Sequence, residues 1–443
     1  MKSTVTYKEI FTISLPIILG SLTENVISIT DTMFMGHVDR DTLGAAAIGN
    51  MFYMVFVMVG MGLATGTQII LSRRFGEKNN AATGQTFVHS MSIALTLALG
   101  LFGIAKIIEY TFLERFTQSP EIWGLSEQFI NIRLFTLIFS ISNSISRSFF
   151  SGIAETKIIG ISSIGAMLLN VFLNYILVFG KMGMPAMGIA GSAIASLSSE
   201  GLSTLLYVSW IFYKKYPERF SFFTNLRFQK DLTKGLFKIS LPVMFQYALS
   251  SFAWFTFFLI IEKMGVVPLA VSNVMRNMYF IFLIPLWGFA VATNTLVNYK
   301  IAENKHDEVL PLVFRVIGLS VLSCIFFIVV LNVFSTPILS LFTTEKEILL
   351  YSQQVLYILD ASSLILSAGI IMLFAIAGTG NTQVKFFIEA TIITIYLIYA
   401  FGLVNFFKPT IVLVWSAEIL YGVLLVTFCY LYLRSGKWRG TTV

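Results

Sequence analysis

Glu24, Asp31, Asn170, Asn174, Ser196 and Glu200 are polar residues set inside long apolar runs, and their spacing suits ion chemistry. Glu24 and Asp31 stand seven residues apart, two helical turns, so they share one face with Ser21 and Ser28. Asn170 and Asn174 are spaced i,i+4, and so are Ser192, Ser196 and Glu200, which makes each set a polar stripe on a helix. A carboxylate in an apolar span is costly and requires a proton, a cation or a basic partner. A hard cation such as Na⁺ takes several oxygens, which carboxylate, amide and hydroxyl groups from three helices can supply. A proton takes one carboxyl. Plain readings stand beside these: buried Asn and Ser commonly bond between membrane helices, and Asp31, about one turn from a polar loop at 36–42, can simply face water.

A second group is apolar and aromatic. Gln246, Trp254, Phe255, Phe257, Phe258, Met275, Met278, Tyr279, Phe280 and Trp287 gather in the second half of the chain. Such a surface suits a bulky apolar or cationic organic molecule through stacking and cation–π contact, although core or lipid packing explains each residue singly. Arg147 lies near a cytoplasmic break, where snorkelling accounts for it as well as function does. Arg276 and Asp360 are candidates for an ion pair or gate. His37, His89 and His306 show no metal-ligand spacing, and Cys324 and Cys429, each inside an apolar run, read as packing residues. No Walker A, Asp-rich diphosphate or Ser/His/Asp pattern argues for an enzyme.

The elements that carry these residues follow from composition. The 443 residues are 56% apolar and 12% charged, with a mean hydropathy of +0.81, which excludes a soluble enzyme, a disordered chain and a disulfide scaffold. Apolar stretches near 10–35, 44–71, 83–108, 122–151, 158–180, 188–213, 235–261, 267–297, 309–334, 348–377, 386–407 and 409–433 predict twelve transmembrane helices in an all-α integral membrane protein. The start of the chain reads as a retained first helix, without a small-residue cleavage site. With both termini cytoplasmic, nineteen Lys and Arg fall in inside segments and seven, Arg40, Lys106, Arg115, Lys181, Lys263, Lys346 and Lys408, fall outside. The inside set includes Lys2, Arg73, Arg74, Arg227, Lys300 and Lys385. The net charge of +7 is therefore an orientation signal and implies no nucleic-acid partner.

The chain also repeats at a shift of 226 residues: Ile13-Ser-Leu-Pro16 recurs as Ile239-Ser-Leu-Pro242, Glu77 as Glu303, Gly152 as Gly378 and Thr156 as Thr382. Six spans per repeat is an even number, so both halves enter from one side and form a parallel repeat of two pseudo-symmetric six-helix bundles. The expected division is 1–213, a cytoplasmic linker 214–235, and 236–443. Two such bundles suggest a transporter with a binding site near the midplane, alternately open to either side; a duplicated scaffold is the plain alternative. The polar groups are expected to concentrate in the first half, since the second lacks them at the matching positions: at the shift Glu24 becomes Ser250, Asp31 becomes Phe257, Asn170 becomes Tyr396 and Asn174 becomes Ala400.

The segments Ser14-Leu-Pro-Ile-Ile18, Ile29-Thr-Asp31-Thr-Met-Phe-Met-Gly36, Asn170-Val-Phe-Leu-Asn174 and Gly188-Ile-Ala-Gly-Ser-Ala-Ile-Ala-Ser196 resemble the multidrug and toxic compound extrusion (MATE) family. So do the paired breaks Gly152-Ile-Ala-Glu-Thr156 and Gly378-Thr-Gly-Asn-Thr382. The resemblance spans essentially the whole chain and implies a twelve-helix antiporter of the cytoplasmic membrane. Such a protein exports small organic, often cationic compounds against inward H⁺ or Na⁺, without a cofactor and as a monomer. It implies a coupling site at Asp31, Asn170 and Ser196, with Asn174 standing where the family carries an Asp. The lost carboxylate weakens the case for Na⁺ and favours H⁺; by spacing, Glu24 or Glu200 can restore the charge. Gln246, Trp254, Phe257, Met275, Tyr279 and Trp287 are the expected substrate cavity. The competing reading is a lipid-linked oligosaccharide flippase, which should carry a basic cavity for pyrophosphate and more spans.

Overall fold

In hydrocarbon a backbone must satisfy its own hydrogen bonds, and the long apolar runs accordingly fold as helices. A computed structural model describes residues 5–113, 120–224, 229–343, 345–407 and 409–441. Of the basic residues used for orientation, Lys2, Arg115, Arg227 and Lys408 lie outside the described residues. The helices are α1 (Tyr7–Val38), α2 (Arg40–Gly76), α3 (Asn80–Ile108), α4 (Pro120–Arg133), α5 (Thr136–Gly152), α6 (Lys157–Phe179), α7 (Gly188–Tyr213), a short α8 (Tyr216–Arg219), α9 (Lys230–Glu262), α10 (Val266–Ala302), α11 (Val309–Val333), a short α12 (Ser335–Ser340), α13 (Lys346–Gly378), α14 (Thr382–Gly402), a short α15 (Ile411–Trp415) and α16 (Ala417–Ser435).

Among the described residues ten helices are long and apolar enough to cross a membrane, and α4 with α5 makes an eleventh span bent by 45°. The twelfth is α7, whose 26 residues reach about 39 Å; its serines and Glu200 make it the least apolar of the set. The bend divides the span expected at 122–151. Phe135 N bonds Ile132 O in a tightened turn (3.2 Å), the usual local cause of a break in a helix. The expected loop at 36–42 is a single residue, Asp39, whose carboxylate caps α2 by accepting from Thr42 N (2.6 Å). Asp31 therefore lies two turns inside α1.

Contacts divide the chain into two compact units, Leu15–Met244 and Met1–Ser14 with Phe245–Val443. Each boundary falls inside the first long helix of a half, within three residues of Pro16 or Pro242. The linker 214–235 belongs to the first unit: His89 Nε2 and Thr233 Oγ1 are 2.6 Å apart, which holds the start of α9 to α3. In the second unit Arg315 donates to Val5 O (3.0 Å) and Phe11 meets Phe289 edge-on.

The repeat is written in the backbone as well as the letters. Lys78 and Asn304 both take left-handed φ, 59° and 57°, and so do Ala154 and Gly380, 57° and 89°. Each pair is offset by the same 226 residues. A Cβ on Gly152 would meet Leu71 and the carbonyl of Gln68; one on Gly378 would meet Val297 and the carbonyl of Asn294. These are the same contacts one repeat later, α5 on α2 and α13 on α10. In the first unit α2 packs against α3, α4 and α5, and α6 pairs with α7; in the second α10 packs on α13, and α14 on α16. The first long helices meet their neighbours at glycines: α9 lies against α2 at Gly62 and Gly66, and α1 against α6 at Gly160.

Gly378→Ala would place a methyl 2.8 Å from the Asn294 carbonyl oxygen, so α10 and α13 must separate. We expect a loss of about 1–3 kcal/mol, read as a lower melting temperature in detergent. Gly100→Ala, with nothing within 4 Å, should leave the melt unchanged or raise it.

Candidate functional site

Asp31 is positioned by a helical hairpin. Gly180, at φ 66°, ends α6, and Gly191 lets α7 lie against the backbone of α6 at Leu177. Asn170 and Asn174 of α6 and Ser196 of α7 therefore come to one place, all nearly or fully buried. Asn174 Nδ2 donates to Asp31 Oδ1 (2.7 Å) and to Asn170 Oδ1 (3.1 Å), and Ser196 Oγ donates to Asp31 Oδ2 (3.4 Å). Two polar atoms here, Asn170 Nδ2 and Asn174 Oδ1, are buried without a hydrogen-bond partner. Asp31 also lines a small cavity with Asn50 and Ser192.

Glu24 and Glu200 do not join this group. Glu24 lies seven residues from Asp31, about 10.5 Å along the axis, too far for one cation to touch both. Its carboxylate instead pairs with Arg147 of α5, whose Nε donates to Tyr207 Oη (3.3 Å). Arg147 is thus an ion-pair partner, and snorkelling is not needed to explain it. Glu200 accepts from Asn143 Nδ2 (2.6 Å), and Thr204 Oγ1 donates to Asn143 Oδ1 (2.8 Å). Glu24, Glu200, Arg147 and Arg133 of α4 line a separate polar cavity, shared with the Asp31 group only through Ser196.

In the second unit the positions equivalent to Asp31 and Asn170, Phe257 and Tyr396, also touch, with ring centroids 5.3 Å apart. The duplicated frame keeps the meeting point and replaces polar side chains with aromatic ones. Beside it a cavity of about 130 Å³ is lined by Trp254, Tyr279, Trp287, Tyr396, Glu418 and Tyr421. Of the expected substrate residues, Trp254, Tyr279 and Trp287 line this cavity. Phe257 and Met275 do not: both are completely buried, Phe257 between Tyr396 and Trp415. Gln246 is turned to Glu389. Phe255 and Phe280 are exposed on the outer surface.

The second unit holds buried ionisable groups beyond the Arg276 and Asp360 that were expected there. Glu389 accepts from Ser250 Oγ (2.7 Å) and from Gln246; Glu418 accepts from Tyr396 Oη (2.9 Å). Lys385, counted as a loop residue, is fully buried in the first turn of α14, its Nζ 4.5 Å from the Phe374 ring centre and without a hydrogen bond. Glu418 sits within the last apolar run, where the cost of an intramembrane carboxylate, applied to Glu24, would have found it. Glu389 falls near a span's edge and gives a weaker signal. Arg276 and Asp360 form no ion pair: Asp360 accepts from Asn332 (2.7 Å), and Arg276 lies over Phe258 (5.5 Å). Cys324 and Cys429 are buried free thiols.

The MatE family profile matches residues 16–176 and again 242–402, two stretches offset by the 226 residues of the internal repeat. "Probable multidrug resistance protein NorM" of Thermotoga maritima is 24% identical over 441 residues, covering 98% of this chain and 94% of that one. A protein of the same name from Synechocystis sp. is 24% identical over 318 residues, 71% and 68% of the two chains. Among solved structures, the outward-facing conformation of a multidrug resistance MATE family transporter of the MOP superfamily superposes with a TM-score of 0.90 at 17% identity, covering 98% and 97%. A MOP superfamily transporter from Pyrococcus furiosus, described by the reverse polarity of its binding pocket, gives 0.89 at 17% identity over 97% and 95%.

The Glu24–Arg147 pair is checked by a double-mutant cycle with Glu24→Gln and Arg147→Met under chemical unfolding. Because the Glu24 side chain is 52% exposed, we expect a coupling of about 0.5–1 kcal/mol. Fully additive single effects would show that the pair contributes nothing to holding α1.

Proposed function

The chain belongs to the MatE family, and on that premise we propose that it is a secondary antiporter that exports small organic, chiefly cationic compounds. In this reading both termini are cytoplasmic, the protein works as a monomer in the cytoplasmic membrane, and inward H⁺ or Na⁺ drives its alternate opening to the two sides. The observation that carries the reading is Asp31, a carboxylate two turns inside a membrane helix, held by Asn174 and Ser196. Export is supported by the names of the relatives and by the aromatic cavity with its carboxylate, Glu418, which offers cation–π and charge contacts to an organic cation.

Asp31 carries the coupling charge in this mechanism, and Asn170, Asn174 and Ser196 orient it. Binding a proton or a cation removes the charge of Asp31 and changes which opening is favoured, as a ligand does when it binds two states unequally. The donor set favours a proton. One carboxylate is present, and its Oδ1 already accepts an amide N–H, whereas Na⁺ requires several free oxygens. Asn174 Oδ1, buried and unpaired, is an oxygen a cation could use without breaking a hydrogen bond.

The test is flux of a fluorescent organic cation in proteoliposomes under separately imposed proton and sodium gradients. We expect proton-driven export that falls at least tenfold in Asp31→Asn, and a gain of sodium dependence in Asn174→Asp, which restores a second carboxylate. Undiminished gradient-driven export by Asp31→Asn would sink the assignment.

A further inference from the structure

The cavity lined by Glu24, Glu200, Arg133 and Arg147 contains more charge than an ion-coupling site needs, and the charges are unequally matched. Arg147 and Glu24 neutralise each other. Arg133 and Glu200 have no ion-pair partner within 4 Å: Glu200 is held by an amide, Asn143, and Arg133 stacks over Tyr53 (4.6 Å). Asp31 acts on Arg133, and Glu200 on Arg147, through space and beyond ion-pairing distance. A cation–π contact holds the guanidinium without using its N–H donors. Two polar atoms belong to this cavity's lining residues and have no partner, Arg133 Nε and Ser163 Oγ; Ser163 is 3% exposed. Unpaired polar atoms at a polar cavity mark room for a polar occupant.

We propose that this cavity binds the head of a small zwitterion, its carboxylate on Arg133 and its ammonium on Glu200. One charge of each sign without a direct ion-pair partner is the complement of a molecule carrying both. A lone organic cation would leave Arg133 unmatched, and a lone anion would leave Glu200 so. The volume, about 50 Å³, holds roughly three or four waters, which suits an ammonium and a carboxylate on adjacent atoms and excludes a large ring system. Ser196 belongs both to this cavity and to the Asp31 group, so an occupant would lie beside the coupling carboxylate. The inference goes beyond the export reading and does not depend on it.

The experiment is calorimetric titration of the purified full-length protein with L-alanine, with ethylamine, which is alanine without its carboxylate, and with propionate, which is alanine without its ammonium. Alanine should bind at least tenfold more tightly than either. Arg133→Gln and Glu200→Gln should each weaken alanine at least tenfold, with Glu200→Gln keeping the affinity for propionate and Arg133→Gln that for ethylamine. Should Arg133→Gln fail to elute as a monodisperse protein, Arg133→Lys serves: it keeps the charge but not the fork, and should weaken alanine while leaving ethylamine unchanged. No heat with alanine, equal affinity for ethylamine, or unaltered alanine binding in the Arg133 and Glu200 variants would overturn the assignment. Intact alanine binding in a protein that exports no dye would support it while counting against the export reading.

Discussion

A polar group inside a membrane has no water to fall back on, so each must find a partner in the protein or stay unsatisfied at a cost of several kcal/mol. The distribution of side chains in both units follows from that constraint. Backbone demands are met by helices, and side-chain demands by small closed groups: Asp31 with Asn174 and Ser196, Glu24 with Arg147, Glu200 with Asn143, Glu389 with Ser250 and Gln246, Glu418 with Tyr396, Asp360 with Asn332. Some atoms stay without a hydrogen-bond partner, among them Asn174 Oδ1, Arg133 Nε and Lys385 Nζ.

Duplication supplied a frame in which these groups could diverge. The glycine contacts at Gly152 and Gly378 and the left-handed turns at Lys78 and Asn304 are kept, because close helix approach and chain reversal tolerate few substitutions. The polar residues are not kept. Asp31 and Asn170 meet in one unit, and their equivalents Phe257 and Tyr396 meet in the other; a single pair of positions carries polar side chains once and aromatic ones once. Carboxylates reappear in the second unit at different positions, Glu389 and Glu418.

Much of the site was legible beforehand and some was not. Asn170, Asn174 and Ser196 were identifiable because an i,i+4 stripe on a helix is a local property, and their meeting with Asp31 follows from a short hairpin closed by Gly180 and Gly191. Glu24 was misjudged for a matching reason: sharing a face with Asp31 says nothing about height along the axis, and two turns separate them. Phe257 and Met275 read as cavity residues because aromatic and Met side chains look alike whether they line a cavity or fill a core. Glu418 was missed although the same cost rule applied to it.

The amino-acid sequence determined the helical class, the number of spans, the twofold repeat and the residues that are expensive to bury, since these depend on composition, periodicity and spacing along one chain. Only the tertiary structure decided which expensive residues share a partner. That outcome depends on how helices are rotated and staggered against each other, and a shift of one turn, about 5.4 Å, is enough to move a carboxylate from an amide to a guanidinium.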